Sequence, residues 1–357
     1  MIEELLHQEN LQKEEIIRLL STTGEEMKQL FARSLEVKLQ YLDNKVHLRG
    51  LIEYGNRCSK SCLYCGVRGG NHKVHRYTLT DEEVLDCARQ AMDLHYGSIA
   101  LQSGERSDKA FTDKITELVR EIKRISNGQL GITLSLGEQS EEVYRQWFEA
   151  GAHRYLLRIE ASNEELYYKI HPRDEHHDFH KRLHCIETLL KIGYQTGTGV
   201  MIGLPFQTVE DLADDLLFFR RMDVAMVGMG PYIPHQDTPL YQYASQIPSA
   251  DERLNMTLKM IAVLRLMMPE INMVAATADQ TLDPLGREKA IMAGANVIMP
   301  NLTPTQYRED YLIYPDKACV SDAPDQCQSC LDIRMHAIQH EILYDAWGDS
   351  VAFTKGR

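Results

Sequence analysis

"NRCSKSCLYCGVR", residues 56–68, places Cys58, Cys62 and Cys65 within eight positions. Three thiols are awkward for the common uses of clustered cysteine. Structural zinc closes with four ligands, and disulfides consume cysteines in pairs. Thiolates also suit iron–sulfur clusters, which usually take four cysteines. A C-x3-C-x2-C spacing wraps three ligands around one centre and leaves a position open. Spacing alone leaves two readings standing. One is a [4Fe–4S] cluster with one iron open to an exogenous ligand; the other is zinc completed by His72 or His75 in "GGNHKVHR".

The surroundings of the triplet predict a fold. HLRGLIEY (47–54), which ends just before it, is the first of eight short apolar runs. The others are SIALQS (98–103), GITLSL (131–136), HRYLLRIE (153–160), TGTGVMIGL (196–204), VAMVGMG (224–230), INMVAAT (271–277) and ANVIMP (295–300). Helical periodicity fills the gaps, over about 80–95, 108–126, 140–150, 163–170 with 177–192, 208–222, 251–268 and 284–293. Strands alternating with helices make parallel βαβ units, and eight of them close a (β/α)8 barrel of the TIM type. An open doubly wound sheet is the alternative. Residues 1–44 read as a charged helical extension, 45–310 as the barrel, and 311–357 as an irregular, partly helical C-terminal extension. Barrel chemistry sits in the loops that follow the C-terminal strand ends, and the triplet falls in the first of them.

Composition narrows the partners. The chain has 357 residues and a net charge of −13, with no long Lys/Arg cluster, which argues against a nucleic-acid backbone. No apolar run reaches the roughly 18 residues of a membrane span. The start, MIEELLHQENLQKEE, lacks the basic-then-apolar order of a secretory signal. The expectation is a cytoplasmic protein, in which eight cysteines do not predict disulfides. Cys87 and Cys185 lie on helical apolar stripes and read as small buried hydrophobes. Cys319, Cys327 and Cys330 in "CVSDAPDQCQSC" form a second group, either a second iron–sulfur cluster or a zinc site joined by His336 or His340.

With Tyr64 included, Cys58 to Cys65 match C-x3-C-x-Tyr-C in full, which resembles the signature of radical S-adenosylmethionine (SAM) enzymes. The resemblance implies a [4Fe–4S] cluster on Cys58, Cys62 and Cys65, with SAM chelating the fourth iron and Tyr64 against the adenine. Ser103, Gly104 and Glu105 in "LQSGE" resemble the family's Gly-Gly-Glu motif for the SAM amino group, with Ser in place of the first Gly. In "TLSLGE", Thr133 and Ser135 share a strand face, and Ser135 is a further SAM candidate. Alternation in "YLLRIEAS" points Arg158 and Glu160 into the barrel, where charges are costly unless paired or bound to a polar ligand. They form either a structural pair or contacts to SAM and substrate. Arg182 resembles the arginine that meets the SAM carboxylate. Gly197, Gly199 and Gly203 mark a strand that a ligand could approach closely.

Wording over residues 45 to 350, including "GNRCSKSCLYCGVR", "RYLLRIEAS" and "AGANVIMPNLTPTQYR", resembles the HydE family of [FeFe]-hydrogenase maturases. That resemblance implies radical attack on the sulfur of an iron-bound cysteine complex. It also implies HydG and HydF as partners, and an electron donor such as ferredoxin or flavodoxin. Arg158, Thr277 and Tyr307 are the candidates for the substrate end of the barrel. Two stretches depart from the family wording. Ala276 and Asp279 stand where the family reads Ala-Thr-Thr-Ala-Met-Gly, so Asp279 is expected to disturb an anion site, and Phe206 replaces a glycine. A related enzyme with another substrate, such as a methylornithine synthase, and a non-catalytic iron–sulfur sensor are the alternatives. Biotin synthase is excluded because Cys87 and Cys185, the spare cysteines, fall on predicted outer helices.

Overall fold

The computed structural model describes residues 2–8, 10–321 and 324–356, leaving the side chains of 324–326 aside. Its strands are β1 (Lys45–Leu48), β2 (Gly50–Gly55), β3 (Ser98–Ser103), β4 (Gly131–Ser135), β5 (Arg154–Leu156), β6 (Gln195–Thr198), β7 (Met201–Ile202), β8 (Met226–Val227), β9 (Gly230–Pro231), β10 (Asn272–Met273), β11 (Val297–Ile298) and β12 (Glu341–Leu343). Seven form one parallel sheet in the order β10-β8-β6-β5-β4-β3-β2. Parallel bridges Val274–Val297 and Leu51–Asn301 join its two edges through β11. The Leu51 amide donates to Pro300 O at 2.7 Å and accepts at its carbonyl from the Leu302 amide at 2.8 Å. The eighth strand thus closes the barrel, as the alternation of apolar runs and helices predicts.

The helices start where capping chemistry allows. Thr80, Asp108, Ser140, Asn163, Asp178, Thr208 and Ser249 each accept an amide of the first turn with their side chains. Helix Lys109–Ile125 buries Phe111, Ile115, Leu118, Val119 and Ile122, an apolar stripe at helical spacing that packs on the sheet. The strands are shorter than their apolar runs. HRYLLRIE is continuous strand only over Arg154–Leu156, and Glu160, at a left-handed φ of 67°, resumes the pairing as an isolated parallel bridge to Val200.

The C-terminal extension contains a strand that its sequence does not announce. β12 pairs in parallel with β1, and the turn after it enters the N-terminal floor of the barrel. There Asp349 accepts from Arg154 at 2.6 Å, from Gln195 at 2.7 Å and meets His153 at 3.1 Å. Gly348 O accepts from Asn272 at 2.8 Å and from Arg49 at 3.2 Å. Burial alone would raise the Asp349 carboxyl, but His153 and Arg154 hold it well below the usual carboxylate range. Arg154 is fully buried, so Asp349 is its neutralising charge.

Breaking a buried pair by removing one partner costs about 3–5 kcal/mol. Asp349→Ala is therefore expected to destabilise the fold by about that amount, read as a lower urea midpoint at unchanged slope. A midpoint equal to the parent's would show that the floor does not depend on this charge.

Candidate active site

The triplet loop is tied down from several sides at the C-terminal rim of the barrel. The Arg76 guanidinium donates to four carbonyls, those of Asn56, Val67, Arg68 and Asn71, at 2.6–2.8 Å. The Leu63 amide donates to Ile170 O and the Ser61 amide to His177 Nε2, at 3.0 and 2.9 Å. Gly104 sits so close that a Cβ there would meet the Arg57 carbonyl and stand 2.9 Å from Cys58 Cβ. That contact explains the glycine of "SGE", and it lets the Glu105 amide donate to Cys58 Sγ at 3.3 Å.

Four charges converge behind the loop. Lys60 Nζ lies 2.9 Å from Glu138 and 3.1 Å from Glu105; Arg182 Nε lies 2.5 Å from Glu138, and its Nη2 3.5 Å from Glu105. Burial raises both carboxyls, and the cations pull them back. Glu138 takes the shorter contacts and is held below the usual range, whereas burial wins at Glu105, which is raised. Glu138 is absent from the sequence-based site. Its signal was present, because it follows β4 as Glu105 follows β3, but Gly137, at φ 79°, turns the chain before it.

Arg158 and Glu160 are brought together. The guanidinium grips the carboxylate with two bonds of 2.9 Å and also donates to Gly228 O and Val200 O at 2.8 and 2.9 Å. The structural pair considered from alternation therefore exists, and the left-handed backbone at Glu160 turns it toward Tyr64. Burial drives the Tyr64 phenol well above its ordinary range, with Cys62 and Glu160 adding to it; its hydroxyl lies 3.2 Å from His171 Nε2. Ser103 donates to Gly104 O at 2.9 Å, and Ser135 is half-buried at the end of β4.

Several expectations need correction. Gly199 is needed by the neighbouring strand, because a Cβ would clash with Gly228 O. Gly203 has φ 80°, and Gly197 faces Leu156 and Met226 side chains. Tyr307 turns away from the mouth: its hydroxyl donates to Glu83 at 2.8 Å and its ring stacks on Tyr77. The segment after it crosses the mouth instead. Ile313 O accepts from Gly66, Lys317 pairs with buried Glu53, and the Ala318 amide donates to Thr281 at 3.3 Å. Its tyrosines stand over the site, Tyr311 near Glu53, Cys58 and Cys65, and Tyr314 near Arg287 and Arg158. Thr277 accepts from Arg287 at 2.8 Å.

Asp279 does not present a charge to the mouth. It is fully buried, accepts the Ala276 amide at 2.9 Å, and burial pushes its carboxyl up to about 8. Phe206 has a φ of 68°, a conformation that costs an L residue about 1–2 kcal/mol.

The thiols fit an iron–sulfur cluster better than a zinc ion. Burial pushes Cys62 up to about 12 and raises Cys58 and Cys65, so metal binding there releases protons. His75 is exposed and turned to Asp310 at 2.8 Å, and His72 is exposed, so neither completes a zinc site. Among the described residues no three His, Cys, Asp or Glu side chains meet at the point one ion would occupy. A cube, in which three thiolates would go to three separate irons, does not require that they meet. For SAM, buried carboxylates and a guanidinium beside the triplet match an ammonium and a carboxylate. Cys87 and Cys185 lie buried on helices Asp81–Asp93 and Phe179–Ile192, as expected. Cys327 is buried and Cys330 exposed on helix Pro324–Ala337, while Cys319 Sγ accepts from Gln280 at 3.8 Å.

The radical SAM superfamily profile matches residues 52–219, and that of the Biotin and Thiamin Synthesis associated domain matches 231–323. The [FeFe] hydrogenase maturase subunit HydE of Thermotoga maritima is 45% identical over 305 residues, 85% of this chain and 83% of that protein. The 3-methylornithine synthase of Methanosarcina acetivorans is 25% identical over 83% of this chain and 81% of its own. Two solved structures share the fold: methylornithine synthase (TM-score 0.80, 22% identity, 96% and 97% of the two chains) and the maturase HydG (TM-score 0.81, 19%, 100% and 77%).

A raised folded pKa at Asp279 means the folded state keeps a proton that the unfolded chain, near 3.9, has lost. Stability conferred by that proton falls as pH rises from about 4 to 8. Asp279→Asn is expected to remove one proton from the folding linkage in that window, read from urea midpoints at pH 5, 7 and 9. An unchanged slope would place a charged Asp279 at the mouth after all.

Proposed function

This chain belongs to the radical SAM superfamily and, within it, to the HydE family, and from that premise we propose that its barrel rim is the site of a hydrogenase maturase. The observation that carries the reading is the junction of the triplet loop with four buried charges at the ends of β3 and β4. Cys58, Cys62 and Cys65 would hold a [4Fe–4S] cluster. When bound, that cluster supplies the electron that splits SAM and releases a 5′-deoxyadenosyl radical.

The chain's own residues bind and orient. Glu105, raised by burial and stacked on Cys58 through Gly104, accepts the SAM ammonium, with Ser103 and Ser135 beside it. Arg182, anchored by Glu138, offers its Nη2 side to the carboxylate. Glu160 faces the nucleoside beside Tyr64, held in place by the Arg158 fork. Arg158, Thr277 with Arg287, and Tyr311 and Tyr314 of the covering segment line the substrate end. The cover excludes water, which strengthens every charge contact beneath it. An anionic iron–cysteine complex suits two arginines at that end.

The reading carries with it a cytoplasmic setting, action alongside HydG and HydF, and an external one-electron donor; no helix of the described residues is long and apolar enough to cross a membrane. Cys319, Cys327 and Cys330 would hold a second cluster that SAM cleavage does not need.

Anaerobic reconstitution followed by assay of 5′-deoxyadenosine tests the first step. Cys62→Ala is expected to abolish the product, and Cys327→Ala to leave it within about twofold of the parent. Equal loss in both would contradict the division of labour between the two cysteine groups. Co-expression with HydF, HydG and an [FeFe]-hydrogenase tests the second step. SAM cleavage without hydrogenase activation would point to another substrate.

A further inference from the structure

The charge of this chain is unevenly spread. Between Tyr54 and Thr80 it carries five Lys/Arg and no Asp or Glu, although the whole chain has a net charge of −13. Two of the five are spent inside the fold: Lys60 on Glu138 and Arg76 on four carbonyls. Arg57 is exposed, Arg68 half-buried, and the Lys73 side chain 75% exposed, sharing Asp237 at 2.5 Å. His72 and His75 are exposed beside them. The triplet loop is thus a cationic face on an anionic protein.

An aromatic strip adjoins that face. The Leu240 amide donates to Leu63 O at 3.0 Å, and the Asp237–Lys73 pair continues the seam. Tyr243 packs against the same small core as Leu63 and Tyr64. Phe206 meets Tyr243 edge-on at 4.8 Å and lies under Lys169 Nζ at 5.4 Å. Phe206 is 40% exposed and Tyr241 45% exposed. An aromatic ring held toward water by a left-handed backbone is strained without burying itself, and such outliers point to function. Exposed aromatics with a cation over one ring and a cationic loop alongside are the anatomy of a protein interface with an acidic partner.

We propose that the strip from Arg57 and Lys73 to Tyr241 and Phe206 is the docking face for an acidic one-electron carrier protein. This builds on the radical SAM reading of the site. The carrier gives up one electron and is oxidised by one; the group held by the triplet gains it and is reduced by one. The location suits that transfer, because Leu63 and Tyr64 belong both to the strip's packing and to the triplet loop. Attraction would be confined to this face, since the rest of the chain repels an acidic protein.

The reconstituted holoenzyme is assayed for 5′-deoxyadenosine with dithionite and, separately, with reduced flavodoxin and a reduced two-cluster ferredoxin. The double variant Arg57→Glu, Lys73→Glu is expected to raise the KM for the carriers roughly tenfold while the dithionite rate stays at the parent value. The parent's carrier-driven rate is expected to fall with added salt. Phe206→Gly suits the backbone it replaces, so it is expected to melt no lower than the parent and still raise the carrier KM. Unchanged carrier kinetics in both variants, or failure of both carriers to drive the parent enzyme, overturns the docking face while leaving dithionite turnover intact. Lost hydrogenase activation with unchanged carrier kinetics assigns the face to a maturase partner and overturns it too. No product from the parent enzyme with dithionite overturns instead the radical reading on which the proposal builds.

Discussion

The site depends on two cations sharing two buried carboxylates. Lys60 comes from inside the triplet loop, Arg182 from a barrel helix, and Glu105 and Glu138 from the turns after adjacent strands. A loop rich in Gly and Cys has little apolar surface with which to anchor itself. The ion network supplies the anchor, and it fixes the loop relative to the strand ends rather than to solvent. In a buried setting the contacts are weakly screened, so their geometry is strongly specified. The unequal sharing matters as much as the network. Glu138 takes the close contacts and stays ionised, which leaves Glu105 less neutralised and available to an incoming ammonium.

Much of this was legible in the sequence. The eight apolar runs gave the strands in the right order, and the helix starts coincide with Ser, Thr, Asp and Asn caps. The apolar runs overextend the strand ends, and at Glu160 the left-handed φ cannot be inferred from a Leu-Leu-Arg-Ile-Glu pattern. Alternation marks Arg158 and Glu160, because charges inside a barrel are conspicuous, whereas Glu105 and Arg182 enter through the family resemblance alone. Glu138 was missed because it lies one glycine beyond the strand, where periodicity has stopped. Tyr307 enters the sequence-based site through the family resemblance alone, and helix Thr305–Arg308 turns it to Glu83 and away from the mouth. Asp279 was read as a charge because composition records ionisable groups and burial decides whether they ionise.

The glycine positions separate two meanings of one residue type. Gly104 is required by the triplet loop, and its side-chain-free face belongs to the site. Gly199 is required by the adjacent strand, and says nothing about ligands. Both read alike in sequence. Phe206 is the converse case, a large side chain where the backbone favours glycine, and the mismatch is informative because nothing in the core needs the ring.

The C-terminal region then acquires a different standing from that of an appendage. The barrel wall contains a buried anion at its mouth, Glu53, and a buried cation at its floor, Arg154. Neither has its counter-charge within the barrel strands. Lys317 pairs with Glu53 and Asp349 with Arg154, and both arrive from beyond the last barrel strand. An uncompensated charge in either place would be too costly to keep. A barrel whose two ends are each neutralised by the same following segment can close only when that segment is in place. The cover over the substrate end and the plug in the floor are therefore parts of the catalytic fold, held by charges of opposite sign.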